Sequence, residues 1–143
     1  MQPRKPRACL TCTSRLERQI RREGYARIAG LDEAGRGALC GPVVAAAVIL
    51  DTASIPAGID DSKKLSPVKR ELLYEEILRT AIAVGVGQVQ SEAIDREDIL
   101  QATHHAMAQA VAQLSPPADF LLIDAIRLKS VDLPQKSVVK GDA

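Results

Sequence analysis

Gly30-Leu31-Asp32-Glu33-Ala34-Gly35-Arg36-Gly37 is the stretch on which the reading of this 143-residue chain turns. A short lead-in, Arg27-Ile28-Ala29, runs into two adjacent carboxylates, and a turn follows with glycine on either side of an arginine. Two acids at a strand end can hold a hard cation through oxygen. The glycines permit φ > 0 and let a ligand approach bare backbone amides, and Arg36 can pair with a phosphate. Carboxylates beside phosphate-binding groups point to metal-assisted chemistry on a phosphodiester. Acidic pairs followed by glycine also occur in ordinary surface turns, so the motif needs its context.

The flanking sequence supplies that context. Arg27 to Asp32 reads as a first strand. Pro42 to Leu50 is unbroken apolar sequence and reads as a second, central strand covered on both faces. Asp51 to Asp60 is a loop. Ser66 is a suitable N-cap and Pro67 a suitable first residue for a helix, on which Val68, Leu72, Leu73, Ile77 and Ala81 share one side. Ile82 to Val89 reads as a third strand, with Gly85 and Gly87 permitting close approach by another element. The longest helical pattern runs from Glu92 to Leu114, with Ile99, Thr103, Ala106, Met107, Ala110 and Leu114 at three- and four-residue steps. Phe120 to Ile123 is a short buried strand that delivers Asp124, and Ser137 to Lys140 begins another. Upstream, Ser14 and Glu17 form a capping box for a short helix, with Leu16 and Ile20 on one face and Gly24 as its stop. The pattern predicts an α/β fold, a mixed sheet with helices on its faces, whose last two full strands run parallel through a helical crossover.

Composition narrows the function. The chain is 46% hydrophobic, as expected of one globular domain. Its aromatic residues are Tyr25, Tyr74 and Phe120, so the core rests on aliphatic side chains and base stacking has little scope. Net charge is +1, but Arg4, Lys5, Arg7, Arg15, Arg18, Arg21 and Arg22 crowd the start, opposed there by Glu17 and Glu23. Such an arm can follow a phosphate backbone; a solvated, frayed terminus is the plainer reading. The leader and short helix, residues 1–24, are thus set apart from a domain at 25–143. No signal-peptide pattern stands at the start, and the apolar run Val43 to Leu50 is too short to span a bilayer, so no membrane role and a cytoplasmic location are expected. Cys9, Cys12 and Cys40 are an odd set that suits reduced thiols, and Cys9-x-x-Cys12 has no second pair to complete a zinc site. His104 and His105 are adjacent on a helix and point apart, one toward partial burial and one toward solvent. Gly35-x-Gly37-x-x-Cys40 lacks the third glycine of a dinucleotide fingerprint, so no nucleotide cofactor is indicated.

Asp32-Glu33-Ala34-Gly35-Arg36-Gly37 resembles the signature of type 2 ribonuclease H, ribonuclease HII. Asp61-Ser62-Lys63-Lys64-Leu65-Ser66, Leu122-Ile123-Asp124 and Val138-Val139-Lys140-Gly141-Asp142 are similar to further family segments, in the family's order, and Ile99 to Thr103 fits its long helix. The resemblance covers most of the chain from about Tyr25. It implies a ribonuclease H-like fold with the Phe120 strand beside the Arg27 strand, bringing Asp124 near Asp32 and Glu33. It implies endonucleolytic cleavage of RNA in RNA–DNA hybrids and of ribonucleotides embedded in duplex DNA, with a place in DNA replication and repair. Asp32, Glu33 and Asp124 would bind Mn²⁺ or Mg²⁺ in a two-ion site. Gly35, Arg36 and Gly37 would grip the nucleic acid, where the 2′-hydroxyl distinguishes RNA from DNA, and Lys63 and Lys64 would contact phosphates. Asp61 shapes its loop rather than binding metal. No obligate protein partner is indicated.

The sequence also departs from the family pattern. Family members continue beyond the Lys-Gly-Asp run with a serine- and alanine-rich helix, a fourth catalytic aspartate and a stacking tyrosine. A domain incomplete at its C-terminal end, without those helices, is therefore expected, active as a ribonuclease or reduced to a remnant that only binds hybrid. Asp98 stands where the family has asparagine, and Ala125 where glycine follows the third acid, restricting the backbone beside Asp124.

Overall fold

The computed structural model describes residues 15–35, 41–96 and 98–138. Its elements are α1 (Arg15–Arg22), β1 (Ile28–Ala34), β2 (Val43–Ile49), a single 3₁₀ turn (Ser62–Lys64), α2 (Pro67–Thr80), β3 (Ala83–Val89), α3 (Ser91–Arg96), α4 (Ile99–Ala112), β4 (Phe120–Asp124) and β5 (Gln135–Val138). Five strands form one sheet in the order β3-β2-β1-β4-β5. β1 pairs antiparallel with β2 and β2 with β3, whereas β4 runs parallel to both β1 and β5. This is the mixed sheet expected, with the crossover through α4 placing β4 beside β1.

Side chains alternate across each strand, and the two sheet faces are treated differently. On one face Ala29, Leu31, Val43, Ala45, Ala47, Ile49, Leu121 and Ile123 meet Ala102, Ala106, Met107 and Ala110 of α4 in the main core. The helix approaches closely because β3 has glycine there. A Cβ built on Gly85 or Gly87 would collide with the carbonyl oxygen of Ala110 or Ala106 respectively. α4 also closes the sheet edge. Gln109 and Gln113 accept hydrogen bonds through Oε1 from the backbone N–H groups of Gln88 (3.1 Å) and Val86 (3.3 Å), which β3 cannot give to another strand.

The opposite face carries a smaller cluster, in which Ile20 of α1 sits against Ile28 and Phe120, with Leu16, Tyr25 and Leu122 around them. Tyr25 and Phe120 meet as a tilted ring pair with centroids 4.9 Å apart. α1 ends at Arg22, and Gly24 two residues on, with φ +107°, supplies the left-handed stop.

Three expectations need correction. β2 is interior to the sheet but not covered on both faces: its burial alternates, and Val44, Ala46 and Val48 are only half-buried. The pattern from Glu92 to Leu114 is broken into α3 and α4, because Asp98 has extended backbone and its Oδ1 accepts from Gln101 N at 2.8 Å, starting a new helix. α2 begins as expected, with Ser66 Oγ accepting from Lys69 N and Pro67 at its first turn, but its apolar residues do not share a buried side. Val68 and Leu72 are 70% and 62% exposed, and no residue of α2 is buried. Among the described residues, no helix is long and apolar enough to cross a membrane.

Candidate active site

The site is built from the register of two parallel strands. Leu31 of β1 stands level with Ile123 of β4, so the next residues, Asp32 within β1 and Asp124 at the end of β4, emerge side by side on adjacent strands. Strand alternation puts both on the face that carries Ile28 and Phe120. Asp32 is exposed and Asp124 half-buried. Asp32 Oδ1 accepts the backbone N–H of Glu33 at 2.9 Å, which fixes the orientation of the carboxylate. Glu33 is next along β1, so its side chain starts toward the opposite face, and its Oε2 is buried. The register thus gathers two of the three expected acids. Among the described residues, no group of three His, Cys, Asp or Glu side chains is close enough to hold a metal ion.

The far ends of the same strands are tied together by Asp119. Its two carboxylate oxygens accept from the backbone N–H groups of Ala26 (2.9 Å) and Arg27 (2.8 Å). Asp119 N in turn donates to Arg27 O, and Arg27 Nε to Pro117 O. Arg27 precedes Asp32 by the same number of residues as Asp119 precedes Asp124. The clamp therefore fixes the register that brings the two acids level.

Beyond the acids, the turn is partly described. Gly35 has φ +86°, and a Cβ there would strike the carbonyl oxygen of Pro42, so only glycine fits between β1 and β2. Arg36 and Gly37 lie outside the described residues, as do Ser14, Cys9, Cys12, Cys40 and the Lys140-Gly141-Asp142 run. Lys63 and Lys64 are both exposed on the 3₁₀ turn. Asp61 holds that turn, its Oδ1 accepting from Lys63 N at 3.1 Å, so it shapes the loop as expected. Lys64 Nζ lies 3.7 Å from Oδ1 of the half-buried Asp60. His104 is half-buried and His105 exposed. A cavity of about 580 Å³ between this loop and α2, lined by Ile59, Leu65, Leu73, Tyr74 and Ile77, does not include the acids.

After Asp124 the chain turns through Ala125, which takes a left-handed φ of +55° and donates its N–H to Val138 O at 3.0 Å. Gln135 then organises the return loop. Its Oε1 accepts from Leu128 N at 2.7 Å, and its Nε2 donates to the carbonyls of Leu128, Val131 and Leu133. Asp119 and Gln135 escaped sequence reasoning, because an aspartate before a strand and a glutamine in a loop are unremarked locally. Their partners lie 92 and 7 residues away.

The residues fit a hard divalent cation in kind: two carboxylates on one face, at one level, supply oxygen ligands and negative charge.

The family model for ribonuclease HII matches residues 29–142. A ribonuclease HII of Pelobacter propionicus is 58% identical over 127 residues, which cover 89% of this chain and 58% of that protein. This chain thus spans less than two thirds of that relative's length. Among solved structures, the ribonuclease HII in the PCNA complex from Archaeoglobus fulgidus is 27% identical with a TM-score of 0.67, over 80% of this chain and 63% of that one. Bst-RNase HIII, solved in complex with Mn²⁺, shares the fold at 21% identity and a TM-score of 0.63, over 82% of this chain and 46% of that one.

Proposed function

Because the chain belongs to the ribonuclease HII family, we propose that it carries the acidic centre of an endonuclease. Its substrates are the RNA strand of RNA–DNA hybrids and ribonucleotides embedded in duplex DNA. The observation that carries this reading is the level pairing of Asp32 and Asp124 on adjacent parallel strands, inside the matched region. Those two carboxylates, with Glu33 beside them, would hold Mn²⁺ or Mg²⁺. When bound, such ions stabilise charge on the phosphoryl oxygens and activate the attacking water. The chain's own contribution is placement. The Asp119 clamp sets the strands level, the Glu33 N–H orients Asp32, and the Ala125 turn leads the chain away from Asp124. Gly35, Arg36 and Gly37 would lie against the nucleic acid, and Lys63 and Lys64 would take phosphates as point charges.

Calorimetry with Mn²⁺ tests the centre. Asp32→Asn and Asp124→Asn each remove a charged oxygen ligand and should each weaken binding about tenfold or more, on the order of 1.4 kcal/mol. Unchanged affinity in both variants would rule the site out. The second reading is a chain that binds hybrid without cutting it. A labelled duplex with one embedded ribonucleotide separates the two. Cleavage 5′ of the ribonucleotide with a 3′-hydroxyl product supports the endonuclease; binding with no product in either Mg²⁺ or Mn²⁺ supports the alternative.

A further inference from the structure

α1 presents two opposed ridges. Ile20 is 3% exposed and, with Leu16, seats the helix on Ile28, Phe120 and Leu122. Arg15, Arg18 and Arg22 are all exposed. At about 100° per residue they fall within a roughly 60° arc on the side away from Ile20. Glu17 is half-buried and Glu23 lies beyond the helix end. Among the described residues none of the three arginines is held in an ion pair. The helix also sits on the face of β1 and β4 from which Asp32 and Asp124 emerge. Asp32 is four residues beyond Ile28, about 13 Å along the strand at roughly 3.3 Å per residue. Phosphates on one strand of a duplex are spaced about 3.4 Å apart along the axis. Ile28, on which the helix is seated, thus lies about four nucleotide steps along the strand from Asp32, and the stripe stands about a helix diameter, roughly 10–12 Å, further out on the same side of the sheet.

We propose that Arg15, Arg18 and Arg22 of α1 form a second nucleic-acid contact, a cationic stripe that binds the phosphate backbone of the duplex whose scissile region lies at Asp32 and Asp124. The choice of ligand rests on the endonuclease reading; the surface itself is a separate observation. The contact is to phosphate, so it is independent of sequence and of whether the strand is RNA or DNA. Arginine suits it through bidentate pairing with phosphate oxygens.

The test measures binding without cleavage. Fluorescence anisotropy is recorded for the full chain in EDTA, with an all-DNA duplex and an RNA–DNA hybrid, from 50 to 200 mM salt. Three proteins are compared: the parent, the triple variant Arg15→Gln, Arg18→Gln, Arg22→Gln, and the triple Lys variant at the same positions. Glutamine and lysine both keep helix propensity, and circular dichroism checks that the fold is retained. The Gln variant should flatten the log–log salt slope for the DNA duplex by about 2 to 3, since each phosphate contact contributes about 0.9. It should lose affinity at least tenfold at the lower salt on both duplexes, while the Lys variant keeps most of the slope. A Gln-variant slope within 0.5 of the parent, equal losses in both variants, or a parent that binds neither duplex would overturn the stripe. So would parent binding to phosphatidylserine vesicles in preference to duplex, lost in the Gln variant, which would assign the stripe to an anionic surface instead. Cleavage does not enter this readout, so failure of the embedded-ribonucleotide assay counts against the endonuclease reading alone.

Discussion

Ala125 is the residue where this chain pays most visibly for its turn beside the acids. A left-handed backbone costs a residue with a Cβ about 1–2 kcal/mol, and Ala125 holds φ +55° where the chain leaves β4, its N–H donating to Val138 O. Ala125→Gly removes that strain but adds unfolded-state freedom worth about 0.5–1 kcal/mol. A net gain of about 0.5–1 kcal/mol is expected, read as a higher urea midpoint at unchanged slope. A lower midpoint would show that the turn is unstrained. That Ala125 stands where the resemblance implies glycine was legible in the sequence; the sign of φ was not, because it belongs to the path the chain takes after β4. Asp98 is the converse case. It stood out as a departure from asparagine, and it proves to be an N-cap, a position where aspartate and asparagine serve equally.

At the scale of elements, the register of β1 against β4 decides whether the acids meet, and Asp119 holds it from the far end. Asp119→Ala removes two hydrogen bonds to a carboxylate, each worth about 1.5–3 kcal/mol. Global stability should fall by roughly 3 kcal/mol, and Mn²⁺ affinity should fall even at temperatures where the variant is fully folded. Asp119→Asn, which keeps one acceptor, should recover part of both. Lost stability with unchanged metal affinity would make the clamp purely structural. The strands themselves could be read from sequence, because short apolar runs and the glycines of β3 carry their own physical signal. Gly85 and Gly87 meet α4 backbone as close approach requires. The α3–α4 break could not be read, since a periodic apolar face continues across Asp98 and a side-chain cap leaves no mark on that period. Nor could the partners of Asp119, Gln109 and Gln135, which are fixed only once the strands and α4 have assembled. The parallel neighbour relation of β1 and β4 came from the family resemblance, not from the residues of either strand.

The whole molecule is lopsided. Among the described residues, α4 seals one face of the sheet, while the other is covered at β1 and β4, by α1. Toward β3 that second face is left with half-buried Val44, Ala46, Val48 and Val84, and Val86 is 46% exposed. α2 adds Val68, Leu72, Tyr74 and Leu78, exposed by 70%, 62%, 58% and 48%. Single exposed apolar side chains mean little, but clustered ones promote association. The chain is therefore expected to bind a hydrophobic dye in its folded state and to self-associate as its concentration rises. α2 offers a clean test, because none of its residues is buried. Val68→Lys with Leu72→Lys should change stability by no more than about 0.5 kcal/mol, as surface substitutions do. The same pair should still shift the sedimentation profile toward monomer over a tenfold concentration range. Charge added to α2 would leave association intact if the sheet face were the contact, in which case Val86→Lys on β3 should be the variant that disperses the protein. A parent chain that stays monomeric across the range, with no dye binding, would show that the apolar surfaces of α2 and β3 are not sticky.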